Sequence, residues 1–232
     1  MKMSQMITER LHLRPLEPGD LAAFVAYRSD PQVARYQSWD SSFSLADAKR
    51  FLDSQRGLAF AQPGPWMQLA VVDRAQGTLH GDCAVRVLND QPATAEIGIT
   101  LAPSSQRRGI AGEAVTAVIG RLFEAHQFHR SYAQTDDRNV AARRLFERLG
   151  FRCEACLVEA DWFKGEWTTV RTYAIRQREW MDIGQDERRT SVGPRHRANI
   201  ANAQAQIARR SRPVTQPQIF PRNTLSCGGC WQ

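Results

Sequence analysis

The stretch L-A-P-S-S-Q-R-R-G-I-A-G-E-A, residues 101–114, decides the fold, because it joins an apolar run to a long segment of helical periodicity. A strand that ends at Leu101, turns through Gly109 and Gly112 and enters a helix leaves several backbone N–H groups without intrahelical partners. With the helix dipole behind them, these groups form an anion cradle suited to phosphate. Arg107 and Arg108 add charge at its rim, and Gly109, Ala111 and Gly112 are small enough for a diphosphate to approach the backbone. There is no G-x-x-x-x-G-K-[ST], and no G-x-G-x-x-G opening a βαβ unit. Nucleotide hydrolases and dinucleotide enzymes therefore lose support.

Working outward, the runs Met67 to Asp73, Leu79 to Leu88 and Thr94 to Leu101 predict an antiparallel meander joined by turn chemistry at Gln76-Gly77 and at residues 89–92. Alternating Leu11, Leu13 and Leu16 predict a first strand broken at Pro15. Asp20 starts a helix carrying Leu21, Phe24, Val25 and Arg28, and a second begins at Ser44, where Asp47 three residues on completes a capping box. Between them Tyr36, Trp39 and Phe43 either line a cleft or plug the core, with plugging favoured. Beyond the loop, residues 112–127 read as a helix with a broad apolar face, Arg130 to Thr135 as a strand, and Asn139 to Leu149 as a helix stopped by Gly150. Two closing strands, near Phe151 to Ala160 and Thr168 to Arg176, turn at Lys164-Gly165-Glu166.

Q-R-R-G-I-A, residues 106–111, resembles the acetyl-CoA loop of the GNAT superfamily of N-acetyltransferases, Q/R-x-x-G-x-G/A. N-V-A-A-R-R-L-F-E-R-L-G-F, residues 139–151, resembles its second signature, in the correct order. A-E-I-G-I-T-L-A-P, residues 95–103, and D-W-F-K-G-E-W, residues 161–167, are similar to segments of the RimJ/RimL-like branch. The resemblance spans about residues 7–180. It implies an α/β (α+β) GNAT fold: a mixed, mostly antiparallel sheet of about seven strands, splayed between the fourth and fifth and flanked by about four helices.

The same resemblance implies that main-chain groups of Ile99 and Leu101 bind the pantetheine arm, that Gln106, Arg107, Arg108, Gly109, Ile110, Ala111 and Gly112 cradle the pyrophosphate, and that Asn139 contacts the cosubstrate. Arg144 could reach a phosphate. Asn139 also suits a helix N-cap, and both roles can hold. The implied reaction transfers an acetyl group from acetyl-CoA to a primary amine, on a protein N-terminus or a small molecule, by direct attack in a ternary complex without a metal. A backbone N–H near Ile99 would polarise the carbonyl, and Glu96 is the candidate general base, directly or through water. Glu96 could instead be an exposed strand carboxylate or the partner of an arginine.

The chain departs from the pattern at Phe146, where many family members place a tyrosine acid, and at Ala142, where the branch often has serine. Both departures encourage an alternative: a non-catalytic acyl-CoA-sensing or ribosome-binding module. Glu154, Glu159, Asp161, Glu166, Asp136 and Asp137 could draw a cationic amine, though most read as solvated surface charges, and Trp66, Trp162 and Trp167 could shape the cleft, with core packing favoured for at least one of them.

At 232 residues, 42% hydrophobic, the chain suits one domain of residues 1–182 with an appendage, residues 183–232. The net charge of +7 divides into +1 for the first segment and +6 for the second. A nucleic-acid partner would thus have to rest on the tail alone. That tail is poor in large apolar residues and reads as mostly disordered, with a short helix possible over His196 to Arg210. No apolar run is long enough to span a bilayer and no secretory signal is readable, so a cytoplasmic monomer or homodimer is expected. Cys153 and Cys156 fall in a predicted strand, where side chains three apart point to opposite faces and cannot share a metal, so they read as buried and half-buried thiols. Cys227 and Cys230 lie at the C-terminus with no following helix to activate a thiol, and Cys83 stands alone.

Overall fold

A computed structural model describes residues 5–190 of the chain. Contacts divide the chain into Met1–Met181 and Asp182–Gln232. The first unit is built on an eight-stranded sheet in the order β1-β2-β3-β4-β5-β6-β8-β7. The strands are β1 (Met6–Ile7), β2 (Leu11–Pro15), β3 (Met67–Asp73), β4 (Leu79–Val87), β5 (Thr94–Leu101), β6 (Arg130–Asp136), β7 (Arg152–Phe163) and β8 (Glu166–Arg176). Every neighbouring pair is antiparallel except β5 and β6. The strand beyond the expected seven is β1, a two-residue piece split from β2 where the Thr8 amide donates to the Leu11 carbonyl at 2.9 Å. The expected fourth and fifth strands are therefore β5 and β6.

The helices are α1 (Leu21–Arg28), α2 (Pro31–Ala34), α3 (Leu45–Ser54), α4 (Ile110–Gly120), α5 (Val140–Arg148) and α6 (Gln177–Thr190). Ser44 caps α3 through the capping box with Asp47. The four-residue α2 was not anticipated; Pro31 opens it and Asp30 Oδ1 accepts from the Gln32 amide at 2.7 Å. Gly109 at φ 79° starts α4 two residues earlier than expected, and a π-helical turn, Arg121–Ala125, extends it. α6 continues to Thr190, across the boundary expected at residue 182. The readings of a helix over His196 to Arg210 and of Cys227 and Cys230 lie outside the described residues. No helix among the described residues is long and apolar enough to cross a membrane.

One sheet face carries α1 and α3, whose Leu21, Phe24, Tyr27 and Ala48 bury against Ala70, Val72 and Leu79. α4 packs against β5 and β2, burying Ala114, Val115, Val118 and Ile119. A charge is sealed inside the first layer. Arg28 is 3% exposed and pairs at 3.3 Å with Asp82, itself 1% exposed, and Tyr27 donates its hydroxyl to the same carboxylate at 2.5 Å. Burial, then the Asp82 charge, pushes the Tyr27 phenol well above its ordinary range. The Arg28 guanidinium lies 3.7 Å from the Trp39 ring centroid and 4.2 Å from that of Phe24, with Phe43 and Phe51 farther out. Trp39 and Phe43 thus plug the core, while Tyr36 donates its hydroxyl to the Arg138 carbonyl at 3.3 Å.

Candidate active site

The parallel pairing of β5 with β6 lasts three residues: Thr94 opposite Arg130, Ala95 opposite Ser131 and Glu96 opposite Tyr132. Past Glu96, β5 stays paired with β4 as far as Leu101, and β6 stays paired with β8 as far as Asp136. Each strand is held on its outer edge only, so a wedge opens between them and the inner edge of β5 presents unpaired backbone. Ile99 and Leu101 lie on this stretch. The Leu101 carbonyl is already committed, because Gln106 donates to it through Nε2 at 3.2 Å. Gln106 therefore folds the loop back onto the end of β5, rather than leaving its side chain free for a phosphate.

The wedge runs into the loop. The first helical bond of α4 is from the Glu113 amide to the Gly109 carbonyl at 3.1 Å, and among the described residues no acceptor meets the amides of Arg107, Arg108, Gly109, Ile110, Ala111 or Gly112. Arg107 at φ 59° and Gly109 at φ 79° both turn through the left-handed region, which curls successive N–H groups towards one side. An anion fits such a corner, with Arg107 and Arg108 exposed beside it.

Gly109 is required by its φ, and a Cβ there would also meet Arg10 Nη2 at 3.3 Å. Gly112 has no such constraint, since its Cβ would meet only Leu145 at 4.0 Å. Gly109→Ala is expected to cost about 1–2 kcal/mol in the left-handed conformation and to weaken coenzyme A binding about tenfold, read by isothermal titration; Gly112→Ala tests the closeness of ligand approach alone.

Residues outside the sequence motif hold this corner. Glu113, in the first turn of α4, accepts from the Arg10 amide at 3.0 Å, from Arg10 Nε at 2.6 Å and from Thr8 Oγ1 at 2.5 Å. Arg10 Nη1 also donates to the Arg108 carbonyl at 3.1 Å. These contacts span about a hundred positions, so no local spacing could have revealed them. Asn139 accepts from the Ala142 amide at 3.1 Å and is the N-cap of α5. Arg144 is exposed on α5 with no ion pair among the described residues.

Glu96 sits where the wedge begins. It is buried, and its Oε2 accepts from Arg86 at 2.5 Å and from the Tyr132 hydroxyl at 3.1 Å, while Oε1 accepts no hydrogen bond among the described residues. Of the readings left open for Glu96, the arginine-paired one is observed. Burial lowers the Arg86 guanidinium, but the Glu96 charge and hydrogen bond outweigh it and raise Arg86 overall. Burial, then the Glu96 charge, pushes the Tyr132 phenol up to about 12, so it stays protonated near neutrality and serves as a fixed donor. Arg86 and Tyr132 were missed because cross-strand neighbours are invisible to spacing. Phe146 is buried, with its ring 5.2 Å from Phe151 and 6.1 Å from Tyr173.

The acidic cluster expected to draw a cation is largely neutralised by arginines. Arg138 binds Asp136 at 2.6 Å and Glu166 at 2.7 Å; Asp137 pairs with Arg143 and Arg171, and Glu154 with Arg130 and Arg152. Only Glu159 and Asp161 have no ion pair among the described residues. At the β7–β8 turn, Lys164 Nζ donates to the Ala34 carbonyl at 2.8 Å and the Trp39 carbonyl at 2.7 Å, tying the hairpin tip to the end of α2 and the segment after it. Trp162 and Trp167 stay about 60% exposed and pack on each other, 5.3 Å between centroids.

Comparison with known proteins places the chain among acetyltransferases. Residues 10–152 match the family described as Acetyltransferase (GNAT) domain. An uncharacterized N-acetyltransferase of Bacillus subtilis (strain 168), YnaD, is 30% identical over 173 residues, covering 75% of this chain and 97% of its own. The spermidine N(1)-acetyltransferase of Vibrio cholerae is 25% identical over 182 residues, covering 76% and 98%. The solved structure of a GNAT-family acetyltransferase from Bacillus anthracis superposes with a TM-score of 0.68 at 26% identity, covering 75% of this chain and 99% of that one.

Proposed function

Since the chain belongs to the GNAT acetyltransferase family, we propose that it transfers the acetyl group of acetyl-CoA to a primary amine, on a protein N-terminus or a small molecule, by direct attack in a ternary complex. The observation that carries this reading is the wedge between β5 and β6 opening beside the uncommitted amides of residues 107–112. Those amides, with Arg107, Arg108 and Arg144, would hold the diphosphate, and the inner edge of β5 near Ile99 would hold the pantetheine arm. Asn139 keeps its side-chain amide nitrogen for the same ligand while its oxygen caps α5. Acetyl-CoA supplies a thioester carbonyl open to attack by an amine.

A neutral amine is the nucleophile, so a proton must leave it. Glu96 Oε1, which accepts no hydrogen bond among the described residues while Arg86 and Tyr132 hold Oε2, would accept that proton directly or through water. A backbone N–H of β5 near Ile99 would orient the carbonyl. With Phe146 buried in an aromatic stack, no side chain at that position donates to the departing thiolate, and holding the reactants in place takes a larger share of the catalysis. The segments at residues 95–103 and 161–167 support placing the chain in the RimJ/RimL-like branch. In this reading residues 1–182 form the catalytic domain and residues 183–232 a basic appendage.

A small amine is supported by the likeness to a spermidine acetyltransferase, and a peptide N-terminus by the branch resemblance. Isothermal titration with coenzyme A, followed by thiol release from acetyl-CoA across peptides, polyamines and aminoglycosides, tests the proposal. Binding with release on at least one amine class is expected. Binding without release across the panel would favour the acyl-CoA-sensing module that Phe146 suggests, and no binding would remove both.

A further inference from the structure

The sequence alone sets Cys153 and Cys156 on opposite faces of a strand. The structure reverses that. In the β7–β8 ladder Cys153 stands opposite Tyr173, but Ala155 stands opposite Thr172 and Cys156 opposite Arg171. Two steps along β7 match one step along β8, so Glu154 is an extra residue, a β-bulge. Tyr173 and Arg171 are two apart and share a face, and residues directly opposite them on β7 share it too. Both thiols therefore project from the same side of β7, and both are exposed.

Arg171 lies with them. Its Nη1 donates to Cys153 Sγ at 3.8 Å, it stands opposite Cys156 in the ladder, and its Nε holds Asp137. Glu154, pushed out of register by the bulge, is engaged by Arg130 and Arg152 and does not join the thiols. Among the described residues no group of three or more His, Cys, Asp or Glu side chains could hold a metal. Two thiols cannot by themselves complete a tetrahedral zinc site, but they can supply both ligands of a two-coordinate one.

We propose that Cys153 and Cys156 form a two-thiolate site for a soft monovalent d10 cation of the copper(I) class. Thiolate ligands select such ions, and two of them suffice for a linear site. Same-face positions two steps apart on a strand lie about 6.6 Å apart. Two collinear thiolate–metal bonds of about 2.3 Å place the sulfurs about 4.6 Å apart, a gap closed when each side chain leans inward by about 1 Å. The same spacing is at the long end of the roughly 4.4–6.8 Å range for a disulfide, so the geometry suits a bridging ion better than a direct bond. Binding forms two S–metal bonds and releases two thiol protons with no change of oxidation state. The resulting group carries one net negative charge beside the Arg171 guanidinium.

The test uses the full chain with Cys227→Ser and Cys230→Ser, which removes the C-terminal thiol pair, reduced and kept free of oxygen. Copper(I) is offered from its bicinchoninate complex and withdrawal is followed by the loss of the chelate colour. One equivalent is expected to transfer, and Cys153→Ser or Cys156→Ser on that background should each weaken binding at least a hundredfold without changing the circular dichroism spectrum. X-ray absorption should show two sulfur neighbours. No transfer, affinity retained in either single variant, or a shell of three or more ligands would each overturn the site.

Discussion

Asp82→Ala is expected to destabilise the domain by about 3–5 kcal/mol, because it leaves Arg28 charged and uncompensated inside the layer between the sheet and α1. For a domain of this size that corresponds to a fall in Tm on the order of 10 °C, measured by thermal denaturation. The four aromatic rings around Arg28 are packed on it with or without Asp82 and cannot replace the lost counter-charge, and the Tyr27 hydroxyl loses its acceptor as well. Adding Arg28→Met should restore much of the stability, since an apolar side chain no longer needs a counter-charge. A loss below about 1 kcal/mol in the single variant would mean that water reaches the pair. The effect extends to the proposed active site, because Asp82 stands opposite Thr100 on β5, within the part of that strand that β6 leaves free.

Glu96→Gln is expected to lower kcat by about 10²–10⁴-fold with the affinity for coenzyme A unchanged, the range for loss of a positioned general base. Glutamine keeps the shape and can still accept from Arg86 and Tyr132, but its oxygen cannot take the ammonium proton of the acceptor. Stability should fall by only about 1 kcal/mol, because the Arg86 side chain is 38% exposed and solvent can take up its charge. Steady-state kinetics beside a thermal melt separate the two roles of Glu96. Retained kcat with a lowered Tm would reduce it to the structural partner of Arg86. Lowered kcat with coenzyme A affinity unchanged and only that small fall in Tm would put it on the proton path.

Much of the frame was legible before any coordinates. Met67–Asp73 and Thr94–Leu101 are strands with the expected bounds, and Ser44 with Asp47 caps α3, because alternation, apolar runs and side-chain caps act within a few residues. The turn into α4 was legible for the same reason: Gly109 in the left-handed region and amides before Glu113 that meet no acceptor among the described residues are consequences of one strand-to-helix turn. The two-residue β1, the single turn α2 and the π-helical end of α4 were not legible, since none is long enough to show a period.

Side-chain partnerships were the larger gap. The acids at Asp136, Asp137, Glu154 and Glu166 looked like bait for a cation, but arginines brought close by the fold already hold them. A one-residue bulge at Glu154 was enough to bring two thiols to one face, against a sound rule for regular strands.

From the sequence by itself came the order of the longer strands and helices, the glycine turn into α4 and the resemblance to acetyltransferases, all of which depend on backbone preferences and neighbours a few positions apart. Only the tertiary structure decided that β5 and β6 part company after Glu96, that Arg86 and Tyr132 grip that carboxylate, and that Arg28 is sealed with Asp82 under aromatic rings. Those outcomes depend on which distant segments meet and in what register, and register is set by the packing of the whole sheet against its helices.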